Sequence, residues 1–322
     1  MTEAAILTEP HFVDDAAARK MIEGIRWPNG PVCHHCGEAE RRYATKREGR
    51  YRCGNPPCRK DYTVLTGTVM ERSHAPLHKW VAAFYLLTSS KKGFSAHQLH
   101  RTLKVTYRTA WFMAHRVREA MRDGGLVTPM GGAGGIVEAD ETYYGKTDEV
   151  RPRAHGRIPT PTKKGRSGPA DKRAIVSLVE RGGNVRSFHV AVADKATVQK
   201  IVTENVARET RLHTDESRLY GDATKHVAAH ERVKHSAKEY VRGDVHTNSA
   251  EGFFSIFKRG MRGIYQHCAE KHLHRYLAEY DFRYNRRVKL GFDDKARAAA
   301  AMRGIEGKRL MYRRPDGAGR SL

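Results

Sequence analysis

The residues of this chain best suited to chemistry by type and spacing are four cysteines and a few widely spaced acids. Cys33-x2-Cys36 and Cys53-x4-Cys58 form two close pairs that bracket a hairpin-length insert. Paired thiolates bind Zn2+ tetrahedrally with each sulfur at about 2.3 Å, and a closed four-ligand site leaves no position for a reacting water. These cysteines predict one structural zinc, with His34 and His35 as weaker substitute ligands. The acids call for a different ion. Asp140 stands in Ile136-Val137-Glu138-Ala139-Asp140-Glu141-Thr142, Asp215 closes Arg211-Leu212-His213-Thr214-Asp215, and Glu251 lies in His246-Thr247-Asn248-Ser249-Ala250-Glu251. Carboxylates suit hard cations, and moving a phosphodiester requires two Mg2+ ions about 3.5–4 Å apart on oxygen ligands. An aspartate in an apolar strand is costly without a partner, so Asp140 is the firmest candidate. Asp215 competes with Asp222 and with a plain turn role, and Asn248-x-x-Glu251 reads equally as a capping box.

The elements that must carry these residues follow from periodicity and breakers. Phe12, Ala16, Met21 and Ile25 predict a helical lead-in that ends at Trp27-Pro28-Asn29-Gly30. The alternating stretch from Tyr43 to Tyr51 predicts a hairpin between the cysteine knuckles. Its Arg41, Arg42, Lys46 and Arg47, with Arg50 and Arg52, are candidate phosphate contacts or else a solvated face. From Leu77 to Met121 the pattern is helical. Within it Ser95 and Thr106 are expected to cap a helix-turn-helix whose second helix presents Tyr107 and Arg108 to DNA and packs on Trp111, Met113 and Val117. After a Gly/Pro-rich break, strands are predicted over 136–144, 174–180 and 185–193, a helix over 197–206 and a short strand over 211–215. Helices follow over 247–261 and 271–288, the last with Leu273, Leu277, Tyr280 and Tyr284 on one face. The loop from Lys146 to Lys172 is basic and nearly free of apolar residues. The resulting division is 1–30 lead-in, 31–66 ribbon, 67–123 helix-turn-helix-like, 134–290 strand-rich α/β and 291–322 basic tail.

Composition narrows the partner. Lys+Arg number 59 against 36 Asp+Glu, a formal net charge of +23 that asks for a polyanion. No apolar run approaches the ~18 residues of a spanning helix, which favours nucleic acid over a membrane. Met1 to Glu9 lacks the features of a secretory leader, so the expected setting is the cytoplasm or nucleoid, and the fifth cysteine, Cys268, is expected to be a packed thiol.

Glu138-Ala139-Asp140-Glu141-Thr142-Tyr143-Tyr144-Gly145, His246-Thr247-Asn248 with Glu251-Gly252-Phe253, and Lys258-Arg259-Gly260 leading to Arg283-Tyr284-Asn285 together resemble the ISXO-like group of bacterial insertion-sequence DDE transposases. The segment from Gly67-Thr68-Val69 to Trp80 is similar to that group as well. The resemblance implies a ribonuclease-H-like fold with the first acid on the first strand, the second after the fourth and the third on a later helix. It implies Asp140, Asp215 and Glu251 as the ligands of two Mg2+ (or Mn2+) ions, with Asn248 competing for the third position. Cleavage at the ends of an insertion sequence, then joining of the freed 3'-hydroxyls to target DNA, would be the reaction. Lys258 and Arg259 would hold DNA, His246 would orient a ligand or touch the scissile phosphate, and the chain would act as a homo-oligomer on double-stranded DNA. The rivals are a non-catalytic DNA-binding regulator descended from such an enzyme and a ribonuclease-H-like nuclease that cleaves without joining.

Overall fold

The computed structural model describes residues 6–122, 128–148 and 172–310. Two compact units result, one of Met1–Arg122 with Phe292–Leu322 and one of Asp123–Gly291. Most of the basic loop read over 146–172, and the tail beyond 310, lie outside the described residues.

The first unit begins with α1 (Asp15–Arg26), capped by Asp14, whose carboxylate accepts the N–H of Ala17 at 2.7 Å. Ala18 and Ile22 are its buried residues, while Phe12 precedes it in a short 3-10 turn. A three-stranded antiparallel ribbon follows in the order β1 (Arg42–Ala44), β2 (Arg50–Cys53), β3 (Asp61–Thr63). At three residues, β3 is too short to show alternation in sequence. The helical block resolves into α2 (Leu77–Ser89), α3 (Ala96–Leu103) and α4 (Tyr107–Met121). Ser95 and Gln98 form a reciprocal capping box on α3, and the Thr106 hydroxyl accepts from Thr109 N–H on α4. Met113 and Val117 are fully buried and Trp111 is half-buried.

The second unit is a five-stranded sheet built from β4 (Ile136–Lys146), β5 (Lys172–Glu180), β6 (Val185–Val190), β7 (Arg211–Thr214) and β8 (Ala229–Arg232). The order is β6-β5-β4-β7-β8, with β4, β5 and β6 antiparallel neighbours and β7 and β8 parallel to β4. That is the ribonuclease-H-like arrangement. Gly145, at φ +65°, allows the bulge where the β4–β5 register shifts. Between β6 and β7 runs α5 (Lys195–Asn205), and α6 (Asn248–Gly260) and α7 (Leu273–Asn285) close the unit.

Each sheet face has its own core. Val137, Ala139, Val176 and Leu178 pack with Val198 and Val202 of α5 and with Tyr220. On the other face Ile175 and Val179 pack with Phe253 and Phe257 of α6 and Leu273, Leu277 and Tyr280 of α7. Helices on both sides explain why β5 is a nearly continuous buried run. The edge strand β8 is half-buried throughout and polar, and carries no period that sequence could reveal.

One expectation changes. The stretch read as a basic tail over 291–322 contains α8 (Asp294–Arg303), capped by Asp293 and packed in the first unit against α2, with Ala298, Ala301 and Met302 buried. Its alanine-rich sequence has no large apolar stripe, so helical periodicity is faint there.

Candidate functional site

Strand pairing brings the first two acids together. In the parallel β4–β7 ladder Val137 stands opposite Leu212 and Glu138 opposite His213. Continued two residues beyond its last paired position, that register sets Asp140 level with Asp215. Asp215 follows the last residue of β7 and is held in a tight turn, its Oδ1 accepting the N–H of Ser217 at 2.9 Å. The rival Asp222 pairs with Lys225 at 3.3 Å on the surface. Glu251 lies in the first turn of α6 with its carboxylate exposed and 4.0 Å from Nε2 of His235.

The three acids act on one another electrostatically. The Asp140 carboxyl is pushed up to about 8, first by burial and then by the charges of Glu141, Asp215 and Glu251. Burial and the Arg262 charge lower the pKa of the half-buried Lys258 ammonium, and Asp140 offsets part of that. A buried carboxylate repelled by three others is the environment that a divalent cation relieves, and the donors are all oxygen, which suits Mg2+ or Mn2+. Among the described residues, the four cysteines alone form a group of three or more His, Cys, Asp or Glu ligand atoms lying within 4.8 Å of one another. The acids are grouped more loosely than that.

The helix that carries the third acid starts differently from the capping-box reading. Thr247, not Asn248, is the boundary residue and makes no side-chain cap, and Asn248 is exposed as the first helical residue. Glu138 of β4 takes the capping role from across the sheet. Fully buried, it accepts the N–H groups of Ser249 at 2.7 Å and Ala250 at 3.2 Å. His246 joins the same cluster, with Nδ1 3.3 Å from Glu138 Oε1 and 3.1 Å from the Arg181 guanidinium. Sequence reasoning passed over Glu138, Glu141 and Arg181. The signal available was a glutamate between Val137 and Ala139, because strands are depleted in glutamate and a buried one needs donors.

The cysteine cradle fits zinc by geometry. Cys33 and Cys58 sulfurs lie 3.8 Å apart and Cys36 and Cys53 sulfurs 3.5 Å apart, close to the ~3.8 Å edge of a tetrahedron with 2.3 Å bonds. The N–H of Glu38 holds the Cys36 thiol down to about 7, while burial raises Cys33 and pushes Cys53 up to about 12. Cys268 is buried in the second unit, with its Sγ 3.3 Å from the Ala269 carbonyl oxygen.

The candidate DNA contacts fall on separate elements. Arg41, Arg42, Lys46 and Arg47 are exposed along the β1–β2 hairpin. Lys46 and Arg47 line a basic depression there with Tyr43, Arg50, Arg52 and Asp61, and Arg41 and Arg42 lie outside it. Tyr107 and Arg108 are exposed at the start of α4, and Tyr107 stacks on His97 at 4.3 Å between ring centres. Lys258 and Arg259 are in the last turn of α6. Among the described residues no helix is long and apolar enough to cross a membrane.

The ISXO2-like transposase domain matches residues 132–285, and a transposase zinc-ribbon domain matches residues 13–61. A protein of Halobacterium salinarum, described as an uncharacterized protein in transposable element ISH50, is 32% identical over 268 residues, covering 79% of this chain and 86% of that protein. Among solved structures, a chain of the simian T-cell lymphotropic virus intasome in complex with PP2A regulatory subunit B56 gamma aligns with 57% of this chain and 67% of its own at 13% identity. Its TM-score of 0.26 is too low to carry an argument.

Proposed function

Because the chain belongs to the ISXO2-like transposase family, with a transposase zinc ribbon in front of the catalytic domain, we propose that it cuts the ends of an insertion sequence and joins the 3'-hydroxyls to target DNA. The observation that supports this reading most directly is the β4–β7 register, which makes Asp140 and Asp215 neighbours, with Glu251 close enough to raise the Asp140 pKa. Two bound Mg2+ or Mn2+ ions would supply activation of the attacking oxygen and charge stabilisation of the leaving one. Asp140, Asp215 and Glu251 would hold them, and Lys258, in the last turn of α6, would hold a DNA phosphate.

The ribbon hairpin, through Arg41, Arg42, Lys46 and Arg47, and α4, through Tyr107 and Arg108, would bind double-stranded DNA at the element's ends. Arg259 adds charge at the end of α6. A homo-oligomer of the chain on the DNA would bring the two ends together. The experiment is a joining assay with an oligonucleotide duplex carrying one element end, supercoiled plasmid and Mg2+. Wild-type protein should form joined product, and Asp140→Asn or Asp215→Asn should lose at least about 1,000-fold of the rate, the scale expected for removing transition-state stabilisation. Equal joining by wild type and both variants would remove these residues from the reaction. Cleavage without any joined product would instead make the protein a nuclease.

A further inference from the structure

Two glutamates near Asp140 on β4 have no part in the chemistry proposed above, and each is tied to a different element. The two oxygens of Glu138 accept five hydrogen bonds, from Nε and a terminal nitrogen of Arg181, the N–H and hydroxyl of Ser249, and the N–H of Ala250. The amides belong to the first turn of α6, where unpaired N–H groups and the helix dipole favour a carboxylate. Arg181 also donates to the carbonyl oxygens of Asp244 at 2.7 Å and His246 at 3.3 Å, so the approach to α6 is anchored too.

Glu141 projects from the opposite side of the strand. It accepts the Tyr220 hydroxyl at 2.9 Å and the Ser217 hydroxyl at 3.2 Å. Ser217 in turn donates its N–H to Asp215. Tyr220 is fully buried in the α5-side core, so this anchor does not move independently of the sheet.

We propose that Glu138 and Glu141 are positioning residues for the acid site, Glu138 setting Glu251 through the start of α6 and Glu141 setting Asp215 through the turn at 217–220. The strand that carries Asp140 thereby places all three acids. The inference rests on the metal-binding reading of those acids. Sites of this kind require ligands held to within roughly 0.5 Å, and partners bonded directly to the ligands typically change metal affinity about 10- to 100-fold. Glu138 acts through the Ser249 and Ala250 amides and Glu141 through Ser217, which sets the expected effect at the low end of that range.

Mn2+ alone is the probe, since its binding is read by paramagnetic resonance without turnover. Glu138→Gln and Glu141→Gln should each weaken Mn2+ binding at least about tenfold. The milder Ser249→Ala and Tyr220→Phe, which leave the buried carboxylates in place, should weaken it roughly two- to fivefold. Amide hydrogen exchange in the metal-free variants supplies a readout that general destabilisation would not move selectively. Glu138→Gln and Ser249→Ala should speed exchange at 248–252 and spare 215–220, and Glu141→Gln and Tyr220→Phe should do the reverse. Wild-type Mn2+ binding in both glutamine variants while Asp140→Asn loses it overturns the proposal, as does exchange that rises alike in both segments in every variant. If wild type and Asp140→Asn bind Mn2+ equally, the metal reading fails instead, and the exchange pattern alone decides the positioning claim.

Discussion

Replacing Asp140 by Asn should make the metal-free protein more stable at neutral pH, because the wild-type carboxylate is held where ionisation is disfavoured. Burial, then Glu141, Asp215 and Glu251, push its carboxyl from an ordinary 3.8 up to about 8. An acid with a raised folded pKa binds its proton more tightly in the folded state. The resulting penalty is absent below about 3.8, grows with pH and is complete above about 8. At pH 7 about three decades of proton affinity separate the solution from the unfolded pKa, each about 1.4 kcal/mol, which gives a penalty of about 4 kcal/mol. Asparagine keeps an acceptor for the Glu141 N–H, which Asp140 now accepts at 2.8 Å. It also buries an amide, at about 1–2 kcal/mol. The net gain is about 2–3 kcal/mol, or roughly 4–12 °C in the transition of the catalytic unit. Differential scanning calorimetry in chelator at pH 7 and pH 5 measures it. At pH 5 only about one decade remains, and the gain should vanish. Mn2+ should raise the transition of wild type and not of the variant. A variant that melts lower at pH 7, or gains equally at both pH values, would refute the reasoning.

Further outcomes can be stated briefly. One zinc per chain is expected by elemental analysis, and Cys33→Ser should abolish it and loosen the ribbon, since structural zinc contributes about 10 kcal/mol or more to such small folds. In the joining assay Glu251→Gln should lose at least about 100-fold and Asn248→Ala less than about fivefold, and the opposite ranking would transfer the third position to Asn248. Arg108→Ala should lower the slope of log affinity for DNA against log salt by about 1, read by fluorescence anisotropy. Arg181→Ala leaves the fully buried Glu138 without its cation and should destabilise the protein by about 3 kcal/mol in urea unfolding, with Arg181→Lys falling between.

Much of this protein is local in origin and therefore legible in its sequence. The cysteine spacing, the caps at Ser95 and Thr106, and the alternating or continuous apolar runs of β4 and β5 are set by residues within a few positions of one another. Asp140 also stood out by itself, as an acid in an apolar strand. What sequence left open depends on contacts between distant segments. Polar β8 is a strand only because β7 offers it an edge, and α8 is buried only because α2 receives its alanines. Whether Asn248-x-x-Glu251 capped its own helix was likewise undecidable from its spacing. Glu138, 111 residues before Ser249 in the chain, supplies the cap, because a buried carboxylate and a helix N-terminus satisfy one another wherever the fold brings them together.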